Sequence, residues 1–119
     1  TVAEVLDVPM IFTERKDGEM TLRRGFKVAE EERVVVVEDV VTTGKSSLEA
    51  AGVIAAHGGN VFGFASILNR SGQDDVFRKP YECLLELALE TWGEKDCPLC
   101  AKGVPLDSPG SRFAAAAGR

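Results

Sequence analysis

Four successive valines, Val34 to Val37, run into Glu38-Asp39 and then into Val40-Val41-Thr42-Thr43-Gly44-Lys45-Ser46-Ser47. No other stretch constrains the fold as strongly. An unbroken β-branched run suits a strand buried on both faces, as in a parallel sheet covered by helices. The acidic pair falls at the carboxyl end of that strand, where open α/β sheets place their ligands. Thr42 to Ser47 then turns into a helix, whose first N–H groups and positive dipole end favour an anion. Carboxylates beside an anion cradle point to a ligand with sugar hydroxyls next to a phosphate.

The flanking segments extend this into an α/β domain with a mostly parallel sheet flanked by helices. Ser46-Ser47-Leu48-Glu49 has the spacing of a capping box, with Ser46 at the cap. The helix it opens runs through His57 and stops at Gly58-Gly59. His57, the single histidine, sits in the last turn, where partial positive charge suits the dipole. Residues 60–68 read as a second buried strand, closing a strand–helix–strand unit that puts Asn69-Arg70-Ser71-Gly72 on the same sheet edge as Glu38 and Asp39. A third strand is expected at 81–89, although Leu84 to Leu89 also fits a helix.

Upstream, Val2, Val5 and Leu6 have helical spacing with Pro9 as the stop, and residues 10–13 read as a short strand. Between that strand and the valines lies a hairpin-like excursion or loop carrying Arg15, Lys16, Arg23, Arg24 and Lys27. One domain is expected over 1–119, with 91–119 an irregular tail whose last residues fray. The chain opens at Thr1 without an initiator Met and reads like the end of a helix feeding a strand. The expectation is therefore an N-terminally truncated domain with an unpaired sheet edge.

Bulk properties narrow the function. A net charge of −5 argues against a nucleic-acid partner, which needs a basic face. No apolar run approaches the roughly 20 residues of a membrane span. Three cysteines cannot all pair within one chain, which favours a reducing cytoplasmic setting. Cys97-Pro98-Leu99-Cys100 supplies only half of a tetrahedral zinc set, so a turn in the tail is expected there over a zinc site or a redox pair.

Thr43-Gly44-Lys45-Ser46 tempts a nucleoside-triphosphate P-loop assignment. That motif needs a Gly five positions before its Gly-Lys pair, and here the position is Asp39. A carboxylate there would repel the phosphates. The stretch instead resembles the signature of the type I phosphoribosyltransferases: apolar residues, two acidic residues, two more apolar residues, then Thr-x-Gly. Over nearly its whole length the chain is similar to the C-terminal part of the orotate branch of that family. The matching pieces are Phe12-Thr13-Glu14-Arg15-Lys16, Val37 through Ser46, Leu68-Asn69-Arg70, and the tail pieces 97–103 and 109–112.

The resemblance implies a Rossmann-like fold, a homodimer and transfer of a 5-phosphoribosyl group from phosphoribosyl pyrophosphate to orotate, giving orotidine 5′-phosphate and pyrophosphate with Mg²⁺. On it, Glu38 and Asp39 accept hydrogen bonds from the ribose hydroxyls, and Asp39 favours an oxocarbenium-like transition state. Val40, Val41, Thr42, Thr43, Gly44, Lys45 and Ser46 wrap the 5′-phosphate, with Thr42 also near orotate. Arg70 grips the orotate carboxylate with a planar fork. Arg15 and the catalytic Lys16 neutralise the departing pyrophosphate. Mg²⁺ is held mainly by substrate oxygens and waters. Asn69 stands where the family often has Asp. Transfer to another base and a non-catalytic nucleotide-binding regulatory fragment are the alternatives.

Overall fold

The valine run and its continuation form one nine-residue strand because β-branched side chains fit a pleated ladder better than a helical turn. In chain order the elements are α1 (Val2–Leu6), β1 (Thr13–Lys16), β2 (Glu19–Leu22), β3 (Arg33–Val41), α2 (Lys45–Ala56), β4 (Asn60–Asn69), β5 (Tyr81–Glu86) and α3 (Pro98–Ala101). The computed structural model describes residues 1–23, 25–93 and 95–105. Arg24, the tail piece 109–112 and the expected frayed end lie outside the described residues. The chain divides into two compact units, Thr1–Leu89 and Glu90–Arg119.

In the first unit β3, β4 and β5 form a parallel sheet in that order, and β1 and β2 form a separate antiparallel hairpin. This is an α/β fold, consistent with that of the type I phosphoribosyltransferases. Helix α2 links β3 to β4, as a parallel pair requires a crossover. The core joins Val41, Ile54, Val61, Phe64 and Phe77, with Val34, Val36, Ala51 and Tyr81 packed around them. Phe77 comes from the connection between β4 and β5. Its ring stacks on Phe64 at 4.0 Å between centroids and meets Tyr81 edge-on at 4.9 Å.

Five sequence expectations are corrected. The valines are not buried on both faces: Val34 and Val36 are partly buried and pack against the core, whereas Val35 and Val37 are 50% and 51% exposed. Alternate strand residues point to opposite faces; Ile67 of β4 and Leu84 of β5 are also exposed. The first helix ends at Asp7, which takes a left-handed conformation (φ 52°), before Pro9 is reached. The short strand lies at Thr13–Lys16 rather than 10–13. Its position is set by the two-residue Asp17-Gly18 turn, whose positive φ values (51° and 90°) suit a tight hairpin. The last strand stops at Glu86, and Leu87 to Leu89 is neither strand nor helix.

The fifth correction concerns the start of α2. Its N-cap is Gly44 in the left-handed region (φ 72°, ψ −1°), without a side-chain cap, so Ser46 does not open a capping box. Glu49 is engaged elsewhere: its carboxylate pairs with Arg15 of the hairpin and, at 4.0 Å, with Lys45 one turn back. His57 does close the helix, its Nδ1 lying 2.8 Å from the Val53 carbonyl. In the second unit Cys97 caps the single turn of α3.

Candidate active site at the carboxyl ends of β3 and β4

The parallel register aligns Glu38 with Ser66, Val40 with Leu68 and Val41 with Asn69, so the acidic pair and Asn69-Arg70 share one end of the sheet. A backbone bond fixes the junction: the Arg70 N–H donates to the Val41 carbonyl at 2.7 Å. Crossover topology thus brings together residues about 30 positions apart in sequence, as expected of an α/β sheet edge.

The acidic pair is held by its own backbone. The Asp39 N–H donates to the Glu38 carboxylate at 3.1 Å, and the Val40 N–H donates to the Asp39 carboxylate at 2.7 Å. Asp39 is held below the ordinary carboxylate range, first by a hydrogen bond with the Glu38 side chain and then by the Val40 N–H. A charged, oriented acceptor at this place suits hydroxyl groups of a ligand.

Beyond it, Val41 is buried, Thr42 and Thr43 are exposed, Gly44 and Ser47 are buried, Lys45 is exposed and Ser46 is half-buried. The Thr43 hydroxyl accepts weakly from the Lys45 N–H at 3.4 Å. Gly44 is required by space as well as by its φ: a Cβ there would lie 2.6 Å from Val76 Cγ1 and 2.8 Å from Phe77 Cε1. The loop carrying Val76 and Phe77 therefore backs the turn, and the hydroxyls of Thr42 and Thr43 stay on the outside.

Arg70 follows β4 directly. Its Nε is buried and has no hydrogen-bond partner among the described residues, which leaves a donor that they do not satisfy. Asn69 organises the segment around it. Its side-chain oxygen accepts from the Ser71 N–H at 3.0 Å and the Ser71 hydroxyl at 2.7 Å, and its amide donates to Glu86 at 3.4 Å. An amide can serve both sides of this network, whereas an ionised carboxylate could not donate to Glu86.

The basic residues of the hairpin are distributed differently. Arg15 donates to the Gly18 carbonyl at 2.6 Å and pairs with Glu49, which ties the hairpin to the side of α2. Lys16 is exposed, opposite Glu19 in the hairpin register. Sequence reasoning thus located Glu38 through Ser46 and Arg70 at one sheet edge. It missed Glu49 as the anchor of Arg15, Phe77 as the backing of Gly44, and the bridge from Asn69 to Glu86. The first two involve long-range contacts with no local pattern; only the amide at position 69 was visible beforehand. Among the described residues no group of three or more His, Cys, Asp or Glu side chains is arranged to hold a metal ion, and no helix is long and apolar enough to cross a membrane.

A parallel sheet ending in an acidic pair, followed by a Gly-hinged turn into a helix, is consistent with the type I phosphoribosyltransferase fold. The chain is similar to part of several orotate phosphoribosyltransferases. It is 47% identical over 111 residues to the orotate phosphoribosyltransferase of Carboxydothermus hydrogenoformans, 45% to that of Caldanaerobacter subterraneus subsp. tengcongensis and 48% to that of Thermotoga maritima. Each alignment covers 93% of this chain and 58% or 59% of the relative, so the chain spans somewhat over half the length of the curated relatives it matches. No family model matches the chain.

Proposed function

We propose that this chain is the C-terminal part of a cytoplasmic, homodimeric orotate phosphoribosyltransferase of pyrimidine nucleotide synthesis. On this reading it transfers the phosphoribosyl group of phosphoribosyl pyrophosphate to orotate and releases pyrophosphate. The observation that carries the reading is the unsatisfied Arg70 Nε beside the acidic pair and turn, joined to them through the Val41 carbonyl. A guanidinium donor without a protein acceptor is suited to a planar carboxylate.

Each residue then has a chemical task. Glu38 and Asp39 accept hydrogen bonds from the ribose 2′ and 3′ hydroxyls. The negative charge of Asp39, maintained by its hydrogen bonds, favours the cationic sugar that forms as the glycosidic bond breaks. Val40 to Ser46 enclose the 5′-phosphate with backbone N–H groups and the hydroxyls of Thr42, Thr43 and Ser46. Thr42 also borders the orotate ring. Arg15 and Lys16 offset the charge growing on pyrophosphate. Arg15 reaches it by exchanging Glu49 for a phosphate oxygen, and Lys16 is the catalytic cation of the pair.

The hard oxygen donors Glu38 and Asp39 suit a hydrated Mg²⁺, held largely by substrate oxygens and water. When bound, this ion supplies charge neutralisation on the pyrophosphate.

The test is consumption of orotate with phosphoribosyl pyrophosphate and Mg²⁺, by this chain and by the chain extended to its relatives' length. Turnover by the extended chain is expected, and Arg70→Ala should abolish orotate binding with little loss of stability, because the Nε it removes is already unpartnered. Turnover of another base without orotate would overturn the substrate assignment. Absence of any turnover with intact nucleotide binding would favour a regulatory fragment.

A further inference from the structure

Cys97 and Cys100 lie in the second unit, and the proposed function gives them no task. Neither is in a disulfide, and both are half-buried rather than sealed in a core. Cys97 is the cap of α3 and Cys100 its third helical residue, with Pro98 setting the first turn. The Cys100 N–H donates to the Cys97 sulfur at 3.4 Å, and the two side chains are themselves within hydrogen-bonding contact. Residues three apart on a helical turn share a face with Cβ atoms roughly 5–6 Å apart, so a modest rotation or tightening of the turn brings the sulfurs within disulfide reach.

Two further observations separate a redox pair from the alternatives. Among the described residues no third His, Cys, Asp or Glu joins the two sulfurs in a metal-holding group. Cys97 also differs from the third cysteine, Cys83. The Cys97 thiol is drawn below its ordinary range, first by the Cys100 N–H and then by the Cys100 side chain. The Cys83 thiol is pushed up, chiefly by desolvation and then by the charge of Glu86. Thiolate character, which governs attack on a disulfide, is thus greater at Cys97 than at Cys83.

We propose that Cys97 and Cys100 form a reversible dithiol–disulfide pair that exchanges with low-molecular-weight disulfides, Cys97 attacking first. The Cys97 thiolate forms a bond to one sulfur of oxidised glutathione while the glutathione S–S bond breaks and one glutathione thiolate leaves. Cys100 then gives up its proton and attacks the Cys97 sulfur, expelling the second glutathione as a thiolate that takes up that proton. Two protein thiols are oxidised to one disulfide, and the two electrons reduce one glutathione disulfide to two thiols. Excess dithiol reverses the sequence. The pairing stands independently of the phosphoribosyl chemistry and needs no activity to be measured.

The experiment incubates the intact, reduced chain with excess oxidised glutathione, blocks remaining thiols with an alkylating reagent and maps the peptides by mass spectrometry. The expected product carries a Cys97–Cys100 disulfide and alkylated Cys83, and it returns to three alkylated thiols after dithiothreitol. In Cys100→Ser the sequence should halt at a single glutathione on Cys97, formed at least about tenfold faster than any adduct on Cys83. A wild-type product with glutathione retained on Cys97 and Cys100 alkylated would overturn the pairing. So would recovery of both as alkylated thiols under conditions that modify Cys83.

Discussion

Replacement of Gly44 by alanine tests the claim that the turn after β3 is shaped by both its backbone and the loop behind it. A residue with a Cβ in the left-handed region costs about 1–2 kcal/mol, and Gly44 has φ 72°. The added carbon would meet Val76 Cγ1 at 2.6 Å and Phe77 Cε1 at 2.8 Å, against the roughly 3.5–4.0 Å of a comfortable carbon contact. The Phe77 ring has little freedom to retreat, since it lies against Phe64 at 4.0 Å and Tyr81 at 4.9 Å. Overpacking of this kind costs about 1–3 kcal/mol. The sum predicts a loss of about 2–4 kcal/mol, allowing for partial relaxation of Val76.

The matched control is Gly52→Ala in the middle of α2, where a Cβ meets nothing within 4 Å. There the substitution should stabilise by about 0.5–1 kcal/mol, because alanine loses less backbone freedom on entering a helix. Urea unfolding followed by circular dichroism reads both variants. A Gly44→Ala midpoint within error of wild type, or displaced upward alongside Gly52→Ala, would refute the reasoning about strain and backing at the turn.

Further expectations concern the network around the site. Asn69→Asp should destabilise by about 1–3 kcal/mol at neutral pH by turning a donor that faces Glu86 into a second carboxylate; Glu86→Gln in the same chain should restore most of the loss in a double-mutant melt. Phe77→Ala should cost about 3–5 kcal/mol in the same assay, because the ring is buried between two aromatic neighbours. Glu49→Ala should cost no more than about 1 kcal/mol, since both partners of its Arg15 pair are partly exposed, yet it should hasten tryptic cleavage after Lys16 by releasing the hairpin from α2. Asp39 is depressed in the folded chain, so its contribution to stability is present above its ordinary value near about pH 4 and is lost as pH falls through the lower folded value. Asp39→Asn removes that contribution, and its stability curve should converge on wild type in acid; parallel curves down to about pH 2 would contradict the assigned depression.

The parts of the fold legible in the sequence were those specified by neighbours along the chain. The β-branched run, the Gly58-Gly59 stop and the following apolar run yielded β3, α2 and β4, and the acidic pair marked the end of the sheet that carries the site. The failures share a cause. The Ser46-to-Glu49 spacing fits a capping box locally, but the carboxylate is taken by Arg15, 34 positions earlier. With Gly44 adopting a left-handed turn, the helix begins at Lys45 without a side-chain cap. Likewise, four valines cannot reveal that only one face of the described sheet packs on its core. Periodicity reports the ladder; the partners that cover it are non-local.

The same non-local contact links the hairpin to the proposed chemistry. Glu49 holds Arg15 against α2, three residues beyond Ser46, and Lys45 approaches the same carboxylate from within the turn. One acidic side chain therefore faces two cations that the proposed reaction assigns to an anionic substrate. The Arg15 pair fixes the hairpin against α2, and Lys45, at 4.0 Å and largely exposed, is held only loosely. A pyrophosphate group brings more negative charge than one carboxylate, so it can draw Arg15 from Glu49, while Lys45 turns to the 5′-phosphate; the two cations then leave Glu49 for two different anionic groups of one substrate.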